Sequence, residues 1–205
     1  MEDKVIILSP VTCVPHWSFF AVCDGHGGDY VAQYLSENLG NILSRTVNQI
    51  EMDKGKKIDE DSTADDMKKV LLDTCEAADL EISKQPRMKV EKKEDITCKD
   101  KSGSTGLFCL ISKRFIVVAN VGDSRALLAQ WGTVPTPTPS LSPGSGPLGV
   151  GPGVYASPPQ AGTVDPSIPT PDIPRSGILV ASALSVDHKF SIAAERERAE
   201  SAGAG

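Results

Sequence analysis

The chain has 205 residues, with 21 Lys+Arg against 27 Asp+Glu and a formal net charge of −6. That length suits one domain, with or without an appendage, and the acid excess argues against a nucleic-acid footprint, which is basic and clustered. No apolar run approaches the ~18 residues of a membrane helix, the opening MEDKVIILSP is not a secretory signal, and the scattered Cys13, Cys23, Cys75, Cys98 and Cys109 exclude a CxxC zinc pattern and point to a reducing compartment.

Lys4–Leu8 and Trp17–Cys23 are short runs rich in β-branched and aromatic residues, and are predicted strands. Asp29 is the predicted N-cap of a helix. Val31, Leu35, Leu39 and Leu43 follow at i+4 spacing, and Ala32 and Ile42 widen the stripe. A second helix is predicted over Ala64–Ser83, with Met67, Val70, Leu71, Cys75 and Ala78 on one face. Residues 84–101 are a charged connection without a clear period. Three strands follow, Gly106–Ser112, Phe115–Val121 and Ala126–Gln130, joined by tight polar turns into an antiparallel meander.

Residues 131–177 differ from everything around them. Their charges are Asp165, Asp172 and Arg175, and they hold twelve of the fifteen prolines. Proline removes backbone donors and fixes φ, so neither a ladder nor a helix is expected to run through this stretch. It is predicted to be a disordered insertion at a hairpin tip between Gln130 and Ile178. A passive insertion is the simplest reading; Pro171-Asp172-Ile173-Pro174 also has the PxxP spacing of a ligand for a Pro-rich-motif partner. Ile178–Val186 is a further predicted strand and Ile192–Ala202 a final helix. This order suits an α+β layered domain.

The sharpest chemical feature is Phe19-Phe20-Ala21-Val22-Cys23-Asp24-Gly25-His26-Gly27-Gly28. A strand ends on an acid, and a glycine-rich turn then leads to a helix. Asp24 is held at the sheet edge, and glycine lets a backbone carbonyl approach a ligand. Carboxylate plus carbonyl is hard-ligand chemistry, suited to Mg²⁺ or Mn²⁺. His26 beside them can deliver a proton near neutral pH. Equally, Asp24 can cap a turn and His26 can simply be exposed. Ala119-Asn120-Val121-Gly122-Asp123-Ser124-Arg125 reads, taken alone, as a tight hairpin with Asp123 as turn former. Leu184-Ser185-Val186-Asp187-His188-Lys189 also reads as a turn.

Together these segments resemble the metal-dependent serine/threonine protein phosphatases of type 2C, the PPM family. Met1-Glu2-Asp3, WSFFAVCDGHGG with VAQYLSENL, Gly103-Ser104-Thr105-Gly106, ANVGDSRALL, LSVDHK and ERERAESAG match its motifs in family order, over residues 1–130 and 178–205. The resemblance implies a four-layer α-β-β-α sandwich, incomplete in this chain, interrupted by the 131–177 insertion and continued at 178–205. It implies two Mg²⁺ or Mn²⁺ ions per site and a bridging water. Asp24 would contact both metals, the Gly25 carbonyl and Glu2 would serve one, and Asp123 would match a weaker third position. His26 would be the general acid. Glu2 and Asp24 are expected to face each other across adjacent strands. The implied activity is hydrolysis of phosphoserine and phosphothreonine proteins by metal-activated water, in a cytoplasmic or nuclear signalling protein, with no nucleic acid or membrane as partner. The family's upstream phosphate-binding arginine and its two later metal aspartates have no counterpart in the sequence, so a partial, impaired enzyme is expected. The alternative is a non-catalytic pseudophosphatase or phosphoprotein-binding module.

Overall fold

The structure, a computed structural model, describes residues 2–85, 101–132, 153–156 and 178–203. Strands β1 (Lys4–Leu8) and β2 (Ser18–Cys23) pair antiparallel, from Lys4↔Cys23 to Leu8↔Phe19. The short β3 (Gly25–His26) follows, and then helix α1 (Tyr30–Lys54). The predicted stripe of α1, Val31 to Leu43, is buried along its whole length, and Val47 and Ile50 continue it. Gly55, at φ +62°, ends it in the left-handed conformation that suits glycine.

Asp29 takes the predicted N-cap position of α1, its carbonyl accepting from the Gln33 amide at 2.9 Å, but its side chain does not cap. Its backbone already has helical angles, φ −96° and ψ −7°. An N-cap side chain reaches the first amides from an extended backbone, which Asp29 does not have. Helix α2 (Ala64–Lys84) has the better start. Thr63 is extended there; its hydroxyl accepts from the Asp66 amide at 3.2 Å, and the Asp66 carboxylate accepts from the Thr63 amide at 2.9 Å. Met67, Val70, Leu71, Thr74 and Ala78 line its buried face.

Past β4 (Gly103–Ser104), strands β5 (Gly106–Ile111) and β6 (Phe115–Val121) extend the sheet, and β8 (Gly153–Ala156) pairs with the far side of β6. The order is β1-β2-β5-β6-β8, antiparallel throughout. One face of the sheet packs under α1 and α2. Ile6, Phe19, Ala21, Cys23, Phe108, Leu110, Val117 and Ala119 join the helix stripes in a single core, and the Phe19 and Phe108 rings meet at 5.9 Å between centroids. The opposite face is also apolar and is open at its β1 side, where Val5 is 66 % exposed and Ile7 64 %, whereas Val118 and Asn120 on β6 are buried there.

Two expectations about topology are corrected. The meander breaks after β6. Strand β7 (Leu127–Gly132) pairs instead with β9 (Ile178–Ala183), from Leu127↔Ala183 to Gly132↔Ile178. The Gly-Asp segment is therefore a crossing between two sheets, not a hairpin. The second correction lies inside 131–177. A hairpin does close across that stretch, but Gly153–Ala156 forms a strand against Phe115–Val118. No proline falls between Pro152 and Pro158, and Val154-Tyr155 is a β-favouring pair, so a short edge strand fits the gap. The rest of the insertion's expected disorder, including Pro171–Pro174, lies outside the described residues, as does most of the 84–101 connection. The final helix, α3 (Ala193–Ser201), buries Ala199 and leaves its charged residues largely in solvent.

Candidate active site

The end of β2 is built by three strands rather than two. Continuing the β1–β2 register by two residues brings Glu2 against Gly25. The packing agrees: a Cβ on Gly25 would lie 2.6 Å from the Glu2 carbonyl oxygen and 3.0 Å from the Glu2 Cβ. Glu2 thus sits opposite Gly25, and the same register sets Asp3, not Glu2, opposite Asp24. An absent side chain at Gly25 makes this approach feasible. On the other side, β3 pairs with β4 in the register Gly25↔Ser104 and His26↔Gly103. The exposed His26 imidazole lies across Gly103, where a Cβ would fall 2.5 Å from Nε2.

Asp24 lies between these pairings with its side chain exposed. Its amide donates to Thr105 Oγ1 at 3.1 Å, and its carbonyl accepts from the Thr105 amide at 2.9 Å. Thr105 Oγ1 also shares a 2.8 Å hydrogen bond with Ser124 Oγ. The Gly-Asp crossing is thereby tied to the Asp24 strand end. Cys23, immediately before, is fully buried; burial pushes its thiol up to about 11.

Asp123 is exposed, and Lys189 Nζ sits 3.3 Å from its carboxylate. Lys189 also stands 3.7 Å from Asp187, which Arg125 grips through two bonds of 3.0 and 2.7 Å. The Arg125 guanidinium holds the Asp187 carboxyl below the usual carboxylate range. Asn120 stitches the same region together. Its side-chain amide donates to the carbonyls of Gly122 at 3.0 Å and Val186 at 2.8 Å. Its own Oδ1 is buried without a protein partner. The His188 amide adds a third bond, to Gly122 O at 2.9 Å.

Glu2 thus lies against Gly25, and Asp24, Gly25 and His26 follow one another at the end of β2. Asp123 reaches that end indirectly, through Ser124 and Thr105. The oxygen donors are of the kind that Mg²⁺ or Mn²⁺ prefers. Among the described residues, however, no three His, Cys, Asp or Glu side chains gather into a metal-holding group. The set fits one hydrated cation that keeps most of its waters, and does not fit a closely spaced pair.

A family model, protein phosphatase 2C, matches residues 1–138. The chain belongs to the protein phosphatase 2C family. Its relatives within that family include the human integrin-linked kinase-associated serine/threonine phosphatase 2C, 33% identical over 139 residues, 64% of this chain and 32% of the relative. Human protein phosphatase 1A is 38% identical over 131 residues, 63% of this chain and 31% of the relative. Bovine protein phosphatase 1L is 30% identical over 129 residues, 62% of this chain and 31% of the relative. The chain therefore spans about a third of the length of these phosphatase 2C relatives. Membership agrees with the α+β architecture. No helix among the described residues is long and apolar enough to cross a membrane.

Residues that sequence reasoning did not assign to the site are Asn120, Ser124, Arg125 and Lys189, together with the specific task of Thr105. Asn120 did carry a signal: it is the polar residue in an otherwise apolar strand, Phe115-Ile116-Val117-Val118-Ala119-Asn120-Val121. Buried amides of that kind are kept for their hydrogen bonds.

Proposed function

We propose that the chain is a metal-dependent serine/threonine protein phosphatase, acting by phosphomonoester hydrolysis on phosphoserine and phosphothreonine proteins in the cytoplasm or nucleus. What supports this reading is the succession Asp24-Gly25-His26 at the end of β2, with Glu2 against Gly25, in a chain of this family. Asp24 and the Gly25 carbonyl would hold the cation, with Glu2 serving its water shell. When bound, a divalent cation supplies Lewis acidity and lowers the pKa of a coordinated water. His26, one residue beyond the carbonyl donor, holds the proton for the departing Ser or Thr oxygen. Asp123 would take a second, weaker cation only by displacing Lys189.

A second reading, a phosphoprotein-binding pseudophosphatase, draws on the sparse carboxylates and on the ammonium already seated at Asp123. Hydrolysis depends on positioning and on charge placed where the phosphoryl group needs it. With a donor set that fits one cation, turnover is expected to fall well below ~1 s⁻¹, the lower end of ordinary enzymes. The test is Mn²⁺-dependent phosphate release from a phosphothreonine peptide, with Asp24→Asn as control. Slow release abolished by Asp24→Asn supports the phosphatase. Phosphopeptide binding without release supports the second reading, and release that survives Asp24→Asn refutes Asp24 as the metal-facing group.

A further inference from the structure

The Gly103-Ser104-Thr105-Gly106 segment has no part in the chemistry above, yet its backbone forms one wall of the site. We propose that Thr105 is a positioning residue, which fixes the Asp24 backbone and couples it to the turn that carries Asp123. The functional weight of this role rests on the reading of Asp24 as the cation-facing carboxylate; the geometry does not depend on it.

A single residue holds both polar groups of Asp24. The Asp24 N–H donates to the Thr105 hydroxyl at 3.1 Å, and the Asp24 carbonyl accepts from the Thr105 N–H at 2.9 Å. With both ends of the residue fixed, the direction of its Cα–Cβ bond is fixed too. The carboxylate is then aimed before any ligand arrives, which lowers the ordering cost of binding. Ser124 holds the other side of the same hydroxyl at 2.8 Å. The methyl group has its own task, because it fills the space beside Gly122: a Cβ on that glycine would lie 2.8 Å from Thr105 Cγ2. Threonine therefore meets one turn through its oxygen and the other through both its oxygen and its carbon. The Asp24–Thr105 side-chain bond is exposed. Its removal leaves the Asp24 N–H to water rather than stranding it, so what is lost is the aim of the carboxylate and not the fold.

The test compares Thr105→Val and Thr105→Ser in the full chain, with Asp24→Asn as control. Two quantities are measured: amide hydrogen exchange at Asp24 by NMR, and Mn²⁺ affinity by paramagnetic broadening. Loss of the hydroxyl's bonds to Asp24 and Ser124 in Thr105→Val is expected to speed exchange and weaken Mn²⁺ binding by about three- to tenfold, while Thr105→Ser stays within about twofold of wild type. Wild-type exchange in Thr105→Val overturns the proposal. So does wild-type Mn²⁺ affinity in Thr105→Val when Asp24→Asn abolishes binding. If Asp24→Asn leaves Mn²⁺ binding unchanged, the metal reading fails by itself and exchange alone decides: faster in Val but not in Ser upholds the role of Thr105, and equal rates overturn it. Should Thr105→Val not fold, Ser124→Ala removes the far side of the hydroxyl pair. Faster Asp24 exchange there supports the coupling, and unchanged exchange overturns it.

Discussion

Gly122 stands at φ +97°, a backbone region that side chains rarely adopt, and it also lies against the Thr105 methyl group. Gly122→Ala is therefore expected to destabilise the chain twice over, through the dihedral and through the contact, by roughly 1–3 kcal/mol in urea denaturation. Adding Thr105→Ser removes the methyl and should recover part of the contact cost, leaving the dihedral part and the contact with the residue-105 Cβ at 3.0 Å. Equal stability of the single and double variants would show that the methyl contact contributes nothing. At this scale the sequence was legible where function is local. Asp24, Gly25 and His26 are consecutive, and a strand that runs into Asp-Gly-His-Gly-Gly advertises a built turn. Thr105 was not assigned its task because Asp24, its partner, is 81 positions away. Lys189 reaches Asp123 across the whole insertion, and nothing in either residue's neighbourhood announces the pair.

Helix α2 depends on its first turn. Lys54, 2.6 Å away, is the main influence that holds the Asp66 carboxyl down to about 2; the Thr63 backbone and hydroxyl bonds act in the same direction. Because the folded-state value lies below the unfolded one, the stabilisation is complete above the unfolded value of about 4 and is lost as pH falls toward about 2. Asp66→Asn should accordingly be less stable than wild type near neutral pH, with the difference shrinking across that acid window. A difference that stays constant from pH ~5 to pH ~2 would mean that the carboxylate charge has no role in the cap. Element starts and stops were legible to within a residue or two where periodicity or strand composition was strong, as in α2, β1 and β6. The caps were less so. Asp29 has the right chemistry for an N-cap, but its backbone has already turned helical. Thr63 and Asp66 carry the spacing of a capping box with Asp in place of the usual Glu or Gln.

The sheet buries one apolar face under two helices and leaves the β1 side of the other open. Val5 and Ile7, on edge strand β1, and Val22 beside them are its most exposed members. An open apolar face next to an unpaired edge favours association. The paired variant Val5→Lys, Ile7→Lys should scatter less light at high concentration, while unfolding within about 0.5 kcal/mol of wild type, as surface changes usually do. Scattering that does not fall would place the sticky surface elsewhere. The helix-on-sheet layer was legible from the two stripes and the strand compositions. The departure of β7 to a second sheet was not. A strand's partner is set by register with distant chain, and Leu127–Gly132 finds its partner beyond the insertion, at Ile178–Ala183. Strand β8 was hidden for a related reason: four residues that favour extension count for little inside a proline-rich stretch until β6 offers them an edge.

The thiols convert this architecture into a clock. Burial pushes Cys23 and Cys109 up to about 11 and Cys75 to about 12, so at neutral pH almost no thiolate is present at any of them. Alkylating reagents need thiolate and access together. Cys23 has neither while β2 stays zipped between β1 and β5. Each alkylation of Cys23 therefore records one excursion of that strand out of the sheet, one residue before Asp24. The frequency of such excursions sets how long the Asp24 carboxylate stays aimed between openings, and it can be counted in the unmodified protein without a metal, a substrate or an attached probe.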